Sequence, residues 1–402
     1  MMTSIDAPGR LSKIPCLLRI SASNNLIHRA YQNKDPDTMD EQNSVTPQPR
    51  EVFNSSNRDQ WRAALVAQEP VLIHLNADTT WLLQIPYPHN AENPYGRSHF
   101  NILIDPWLQG PQSDVASWFS TQWHVVEPSV ATIAALNKVL GELDEAANLL
   151  RNDSSSGKAD TTTDKNKKAR PNSWFIDAVV ISHEFTDHCH RATLEELPKS
   201  TPVIAGDEAA KLIQSWDHFD EVITTPPFSS QSASWQEAMA DCHPILPKWL
   251  GIGRVVTAGN ALYYHSAVIV AFGSETQAEA VLYSPHGIDA QDLAFLPKSG
   301  LKTLALLHGL HDVRIWMTKQ LNLGALNGLR VVRACGAKYW VATHDEVKRG
   351  GGLISWMLQR TVYSLKDAVK AEEARIKADA DQEDVGSYQF LELGSGGAIV
   401  LA

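Results

Sequence analysis

The chain of 402 residues is poor in cysteine and has no pair of cysteines in a CxxC motif. Its four cysteines are scattered, at Cys16, Cys189, Cys242 and Cys335. This spacing does not fit the dense disulfide framework of small secreted domains, so we expect reduced intracellular thiols. No apolar run approaches the roughly 20 residues that are needed to cross a bilayer. We therefore predict a cytoplasmic protein with no integral membrane segment.

The sequence also lacks a cluster of basic residues. Lysine and arginine total 35 against 46 aspartate and glutamate residues, which gives a formal net charge of −11. Non-specific binding to a phosphate backbone depends on clustered lysine and arginine, so this composition argues against a nucleic-acid partner. A small-molecule substrate is the expected partner, and the sequence does not determine an oligomeric state.

The N-terminal part of the chain has few aromatic residues. Residues 20–60 are polar and rich in Asn, Asp, Gln and Pro, so they cannot bury enough surface to offset the entropy of ordering. We expect residues 1–60 to be a poorly ordered leader before a single domain at 61–402. Residues 1–32 combine basic residues with serines, as mitochondrial presequences do, although Asp6 counts against that assignment. Mitochondrial import is thus the alternative location.

The rest of the chain alternates short apolar runs with amphipathic segments. Runs such as AVVIS, AVLYSP and KTLALLHG predict buried strands, whereas the segments at 207–216, 325–334 and 352–378 predict helices. A polar stretch that follows an amphipathic helix predicts a flexible surface insertion at 151–172. Early hairpins followed by alternating strands and helices predict an α/β fold, with mixed sheets flanked by helices.

Metal-binding residue types are concentrated directly after one apolar run. The stretch AVVISHEFTDHCH, residues 178–190, contains three histidines, an aspartate, a glutamate and a cysteine. The zinc-helix motif HExxH does not fit, because Asp187 stands where the second histidine belongs and the preceding run favours a strand. On a tight loop after a buried strand, Asp187 and His188 instead indicate a metal-binding or catalytic role.

Other predicted strands also end in residues that bind metals. His286, His308 and His344 each follow an apolar run, and Asp105 follows HFNILI. Ligand crevices in open α/β sheets lie outside the carboxyl ends of the strands, so we expect these side chains to converge. Imidazole and carboxylate groups together bind zinc and other divalent transition metals. Several other histidines are interpreted as ordinary polar residues: His74, His89, His99, His124, His218 and His243.

The order of these motifs resembles that of the metallo-β-lactamase superfamily. The segments ILIDPW, VVISHEFTDHCH, LYSPHG and VATHDE follow one another as in that family, over about residues 70–350. The branch that it resembles contains L-ascorbate-6-phosphate lactonase and the N-acylphosphatidylethanolamine-hydrolysing phospholipase D. The resemblance implies a four-layered αβ/βα sandwich of two mixed sheets flanked by helices. It also matches individual residues to the family's motifs: Asp105 to an aspartate that ends an early strand, His183, Asp187 and His188 to the HxHxDH loop, and His344 to the last ligand histidine.

Two positions depart from the family pattern. Phe185 stands where the second histidine of the loop belongs, and His286 stands where the family has its bridging aspartate. His265 matches the family's middle histidine weakly and is as consistent with a core or supporting role. These departures predict one divalent ion in an atypical site, zinc first, with manganese or iron as alternatives.

The expected site therefore centres on Asp187, His188 and His344, with His286 as a fourth ligand or as the residue that orients water. The expected metal ligands are His183, Asp187, His188, His286 and His344. Asp187 and His286 are the expected catalytic residues, and Asp105, His190 and His265 are expected to support the ligands.

Two functions remain open on this evidence. The first is a metal-dependent hydrolase of a small ester, lactone, amide or phosphodiester that uses a metal-bound hydroxide. The second is a catalytically degenerate member of the same fold that acts as a binding or scaffold protein, for which Phe185 is the main evidence.

Overall fold

The structure is a computed structural model of the chain. It describes residues 52–114, 118–155, 174–242, 245–257, 264–274, 277–315, 319–351, 358–378 and 388–402. Residues 1–51 of the expected leader, and most of the insertion expected at 151–172, lie outside the described residues, so that division of the chain stays a prediction. Among the described residues, no helix is long and apolar enough to span a membrane.

The larger of the two main sheets has eight described strands in the order β1-β19-β2-β3-β4-β6-β7-β8. They are β1 (Val52–Asn54), β2 (Val71–His74), β3 (Trp81–Pro86), β4 (His99–Ile104), β6 (Ala178–Ile181), β7 (Val203–Ala205), β8 (Val222–Thr224) and β19 (Gly397–Val400). The first five strands in this order pair antiparallel, and β4, β6, β7 and β8 run parallel. β1 lies within residues 1–60, which the sequence predicts to be a poorly ordered leader. A strand forms there because β1 pairs with β19 near the other end of the chain.

The smaller main sheet has six described strands in the order β18-β15-β12-β11-β10-β9. They are β9 (Leu250–Val256), β10 (Ser266–Gly273), β11 (Ala278–Ser284), β12 (Leu301–His308), β15 (Tyr339–Val341) and β18 (Gln389–Leu391). Two minor sheets extend from the main body. One contains β13 (Asp312–Ile315), β14 (Lys319–Asn322) and β17 (Leu358–Thr361), and the other pairs β5 (Thr121–Trp123) with β16 (Arg349–Gly351).

The α-helices connect and cover these strands. They are α1 (Arg58–Ala67), α2 (Ile133–Ser155), α3 (Arg191–Leu194), α4 (Asp207–Gln214), α5 (Ala290–Leu293), α6 (Ala325–Cys335) and α7 (Leu365–Ala378). The helix expected at 352–378 is shorter than predicted, because 358–361 forms β17. At the start of α7, Oγ of Ser364 accepts from the backbone nitrogen of Asp367 at 3.2 Å and donates to Oδ2 of Asp367 at 2.7 Å, which caps the helix that begins at Leu365.

Three hydrophobic clusters divide the main body into four layers. Alternate residues of β4 point to opposite faces of the large sheet, so Leu103 packs beneath helices whereas Ile102 and Ile104 pack between the two sheets. The outer cluster on the large sheet includes side chains of α1, α2 and α4. The outer cluster on the small sheet includes side chains of α6. The predicted α/β class, a four-layered αβ/βα sandwich of two mixed sheets flanked by helices, is confirmed.

The histidine that begins β4 gives a testable pH dependence. His99 is buried, and its Nε2 lies 3.1 Å from the carbonyl oxygen of Glu69. Burial lowers the pKa of His99 to about 4, whereas a histidine in the unfolded chain has a pKa of about 6.5. The unfolded chain therefore binds the extra proton first as pH falls, and stability that is present above about pH 6.5 is lost towards about pH 4.

We expect His99→Gln to reduce this loss, because glutamine can still donate to Glu69 but does not titrate. The free energy of unfolding, measured with urea at several pH values, should fall less steeply in the variant, by up to about 1.4 kcal/mol per pH unit. The exposed His89, replaced in the same way, is the control. An unchanged slope in His99→Gln would contradict this assignment.

Candidate metal centre

Three imidazoles and one carboxylate converge beyond the carboxyl ends of the strands. His188 follows β6, His286 follows β11 and His344 follows β15. The Nε2 atoms of His188 and His286 lie 3.0 Å apart. The Oδ1 atom of Asp187 lies 3.7 Å from Nε2 of His188, and its Oδ2 atom lies 3.9 Å from Nε2 of His344. We call these four residues the Asp187 cluster, and all four are buried.

A protein oxygen fixes the outer nitrogen of each imidazole in the Asp187 cluster. Nδ1 of His188 lies 2.7 Å from Oδ2 of Asp105, the aspartate for which the sequence predicts a supporting role. Nδ1 of His286 lies 2.8 Å from Oδ1 of Asn322, and Nδ1 of His344 lies 3.1 Å from Oδ1 of Asp78. An Nδ1–H that donates to oxygen leaves the Nε2 lone pair of a neutral imidazole free to bind a metal.

Two residues of the site have backbones in the left-handed region. Asp105 has φ of 43° and His344 has φ of 58°, both unusual for residues with a side chain. The backbone nitrogen of His344 donates to the carbonyl of Asp78 at 2.8 Å, and Oδ1 of Asp105 accepts from the backbone nitrogen of Ser182 at 2.7 Å. These contacts hold two strained backbone turns in place, and such strain is typical of functional sites.

The electrostatics of the site favour a charged Asp187. Burial alone would raise the pKa of Asp187, but Lys348, His188 and His344 hold that pKa well below its usual range. Burial would lower the pKa of His188, but Asp187 and Asp105 raise it. Burial, followed by the charge of His188, keeps the pKa of His286 well below its usual range. Asp187 is therefore ionised and His286 is neutral, as metal ligands must be, whereas a metal ion has to displace the proton that Asp187 and Asp105 favour on His188.

His183 lies beside the cluster but has both ring nitrogens occupied by protein groups. Its Nδ1 lies 2.9 Å from Oγ of Ser182, and its Nε2 lies 3.0 Å from the carbonyl of Tyr264. Its ring is 4.6 Å from that of His286, between centroids. Phe185 packs 5.0 Å from the ring of Tyr264 and 6.0 Å from that of His286, and so forms an apolar wall where a ligand was expected.

Two of the residues expected to support the site lie elsewhere. Nδ1 of His190 lies 2.9 Å from Oγ1 of Thr193 at the start of α3. Nε2 of His265 lies 3.3 Å from the carbonyl of Leu321. In the described part of the chain, the hydrogen bonds of both histidines are made outside the Asp187 cluster. The loop of His190 turns into α3 and carries this side chain away from the strand end, so its proximity in sequence was misleading.

A positive charge that no sequence motif indicated lies at the centre of the site. Nζ of Lys348 lies 2.7 Å from Oδ2 of Asp187 and 2.7 Å from Oδ2 of Asp78, and its side chain is only 5% exposed. Asp78 lies in the turn between β2 and β3 and is fully buried. A polar turn and a lysine four residues after His344 are both common on protein surfaces, so neither sequence signal distinguished these residues from solvated ones.

Three donors of the Asp187 cluster, those of Asp187, His188 and His344, lie close enough together to hold one divalent ion, and His286 lies beside His188. Ligands at about 2.0 to 2.2 Å from a tetrahedral zinc lie about 3.3 to 3.6 Å from one another. The separations of 3.0, 3.7 and 3.9 Å within the cluster bracket that range. Three nitrogens and one carboxylate oxygen are also a common zinc ligand set. Two groups of three donors lie close enough together to share an ion: Asp187, His188 and His344, and His183, His188 and His286.

Comparisons with known proteins give similarities of fold at low sequence identity. No protein-family model and no curated protein matches the chain. An isothiocyanate hydrolase from Delia radicum gut bacteria matches with 15% identity and a TM-score of 0.47, over 83% of this chain and 99% of its own. A possible metal-dependent hydrolase from Veillonella parvula matches with 14% identity and a TM-score of 0.45, over 83% of this chain and 100% of its own.

A third similar structure is the metallo-β-lactamase fold protein YhfI from Bacillus subtilis. It matches with 13% identity and a TM-score of 0.39, over 82% of this chain and 98% of its own. The chain is thus similar to proteins of the metallo-β-lactamase fold, as the order of its motifs predicted. These similarities assign neither a substrate nor a metal to the Asp187 cluster.

Proposed function

We propose that the protein is a metal-dependent hydrolase of a small ester, lactone, amide or phosphodiester. The observation that carries the proposal is that Nε2 of His188 and Nε2 of His344 flank the carboxylate of Asp187, with Nε2 of His286 beside that of His188 and each Nδ1 next to a protein oxygen. His188, His286 and His344 would bind one divalent ion with Asp187. Zinc suits the ligand set best, and manganese or iron are the alternatives.

When bound, the ion would polarise the scissile bond and lower the pKa of a water molecule towards about 7. Asp105 keeps the imidazole of His188 in the tautomer that binds through Nε2. Asp187, ionised and adjacent to three imidazoles, would bind the ion and accept a hydrogen bond from the attacking water. His286 would either bind the ion or orient that water, as the sequence suggested. Phe185 would exclude bulk water from one side of the cluster.

Metal analysis of protein purified without chelator is the direct test. We expect about one equivalent of zinc, manganese or iron per chain, because three buried donors lie close together and His286 lies beside them. Hydrolysis should be found in a screen of lactones, esters, lactams and phosphodiesters, and a chelator should abolish it. Less than about a tenth of an equivalent of any of these metals would contradict the proposal.

A catalytically degenerate scaffold is the second candidate. Phe185 at an expected ligand position, and an ammonium group 2.7 Å from Asp187, are the observations that favour it. In that case the protein would bind no metal, and its unfolding temperature would not respond to added zinc or to a chelator. Bound metal without turnover in the full substrate screen would favour a binding protein that retains the metal.

We further propose that the substrate is a small molecule and that nucleic acid is not a partner, on the basis of the net charge of −11. A cytoplasmic location is proposed from the reduced cysteines, with mitochondrial import as the alternative. The division into a leader at 1–60 and one domain at 61–402 is likewise proposed from composition. Filter binding at low salt would test the absence of nucleic-acid affinity.

A further inference from the structure

We infer that the ammonium group of Lys348 occupies a cation position beside the Asp187 cluster and replaces a second metal ion there. Its Nζ lies at 2.7 Å from a carboxylate oxygen of each of two residues, Asp78 and Asp187. Two carboxylates are donors for a divalent ion, yet the chain supplies its own cation between them.

The space and charge at this position suit one cation only. An ion bound to Oδ2 of Asp187 would lie about 2.0 to 2.2 Å from it, in the space that Nζ of Lys348 holds. Two buried carboxylates without a counter-ion would be strongly unfavourable, so some cation is required there. The ammonium of Lys348, 2.7 Å from both carboxylates, is that cation and keeps a metal ion out.

The backbone on both sides holds Lys348 in place. Two residues earlier, the carboxylate of Glu346 accepts from the backbone nitrogens of Val125 and Val126, at 2.6 and 2.9 Å, and contacts His124 at 2.6 Å. Directly after Lys348, β16 begins and pairs with β5. A lysine on a protein surface is normally free to change rotamer. The backbone of Lys348, in contrast, is held by the contacts of Glu346 before it and by the pairing of β16 after it. Its position in the site is therefore a fixed part of the fold.

This inference deepens the proposed function, because it limits the centre to one metal ion plus one fixed ammonium. It also concerns a position, between Asp78 and Asp187, that is distinct from the position at which the imidazoles of His188 and His286 would hold the first ion. The two claims therefore have separate readouts. The metal content of the wild type reports the proposed function, and the difference between wild type and a Lys348 variant reports the cation position.

The test compares metal content in the full-length wild type, Lys348→Ala and Lys348→Met. Each protein is stripped, dialysed against zinc or manganese and analysed by elemental analysis. Removal of the ammonium should free Oδ2 of Asp78 and Oδ2 of Asp187, and each variant should bind one equivalent more than the wild type. Lys302→Ala is the matched control, because Lys302 is an exposed lysine that contacts Glu279 at 3.1 Å, and its metal content should equal that of the wild type.

Thermal unfolding gives a second readout. Without metal, the Lys348→Ala and Lys348→Met proteins should unfold several degrees below the wild type, and added zinc or manganese should recover more of that loss than it adds to the wild type. Two equivalents in the wild type, or no extra equivalent in either variant, would overturn the inference. One equivalent in both wild type and variant overturns only the inference. None in the wild type and one in the variant overturns only the proposed function.

Discussion

Replacing His188 with alanine is expected to abolish metal binding. Its Nε2 is the donor nearest to His286, at 3.0 Å, and lies 3.7 Å from the carboxylate of Asp187. The substitution removes one of four ligands and also leaves the buried Asp105 without the imidazole that it contacts at 2.7 Å. Metal content by elemental analysis should fall from about one equivalent to less than about a tenth.

His183→Ala is the matched control for this experiment. His183 is also a buried histidine beside His286, but its two ring nitrogens contact Ser182 and Tyr264. Its removal should therefore leave most of the metal bound. The opposite ranking, with His183 essential and His188 dispensable, would refute the assignment and indicate a site built from the first part of the loop. Circular dichroism of both variants separates loss of a ligand from loss of the fold.

Replacing Trp81 with alanine is expected to lower the free energy of unfolding by about 3 to 5 kcal/mol. Trp81 is fully buried in β3, within the cluster between the two main sheets. Its ring stacks on that of His74 with centroids 3.8 Å apart, and its Nε1 donates to Oγ1 of Thr343 at 2.8 Å. The substitution leaves a large cavity between the sheets and also removes a hydrogen bond that joins them next to His344.

Urea unfolding of the two proteins measures this effect. Trp118→Ala removes the same side chain from a position where 68% of it is exposed, so its unfolding free energy should change by less than about 0.5 kcal/mol. Equal losses in the two variants would show that the space between the sheets does not control stability. Trp81 donates a hydrogen bond to Thr343, the residue before His344. Trp81→Ala should therefore also bind metal more weakly than Trp118→Ala does.

The layers of the fold could be predicted from the sequence because each main strand carries its own signal. The run AVVI is short, apolar and mostly β-branched, and it forms the buried strand β6. The segment at 358–361 carried no such signal, since it lies within a pattern that favours a helix. Its strand depends on pairing with β13, more than 40 residues earlier, which a local pattern cannot show.

The histidines and Asp187 could be predicted as a site because each follows a strand, and strand ends meet at one edge of a sheet. His190 shows the limit of that argument, since it belongs to the same loop but is turned into α3. Lys348 and Asp78 could not be predicted, because they meet only through the tertiary structure. Lys348 is fixed in the site because it is buried together with two carboxylates that it contacts. Those contacts exist only in the folded chain and leave no local sequence pattern.

The position of β19 between β1 and β2 affects the order in which the chain can fold. More than 300 residues separate β2 from β19, so a ribosome that adds about 5 to 20 residues per second needs about 15 to 65 s to synthesise them. During that time the edge of β2 that later pairs with β19 has no partner from this sheet. The nascent protein therefore has an open strand edge for most of its synthesis, and we expect chaperones to bind it before release.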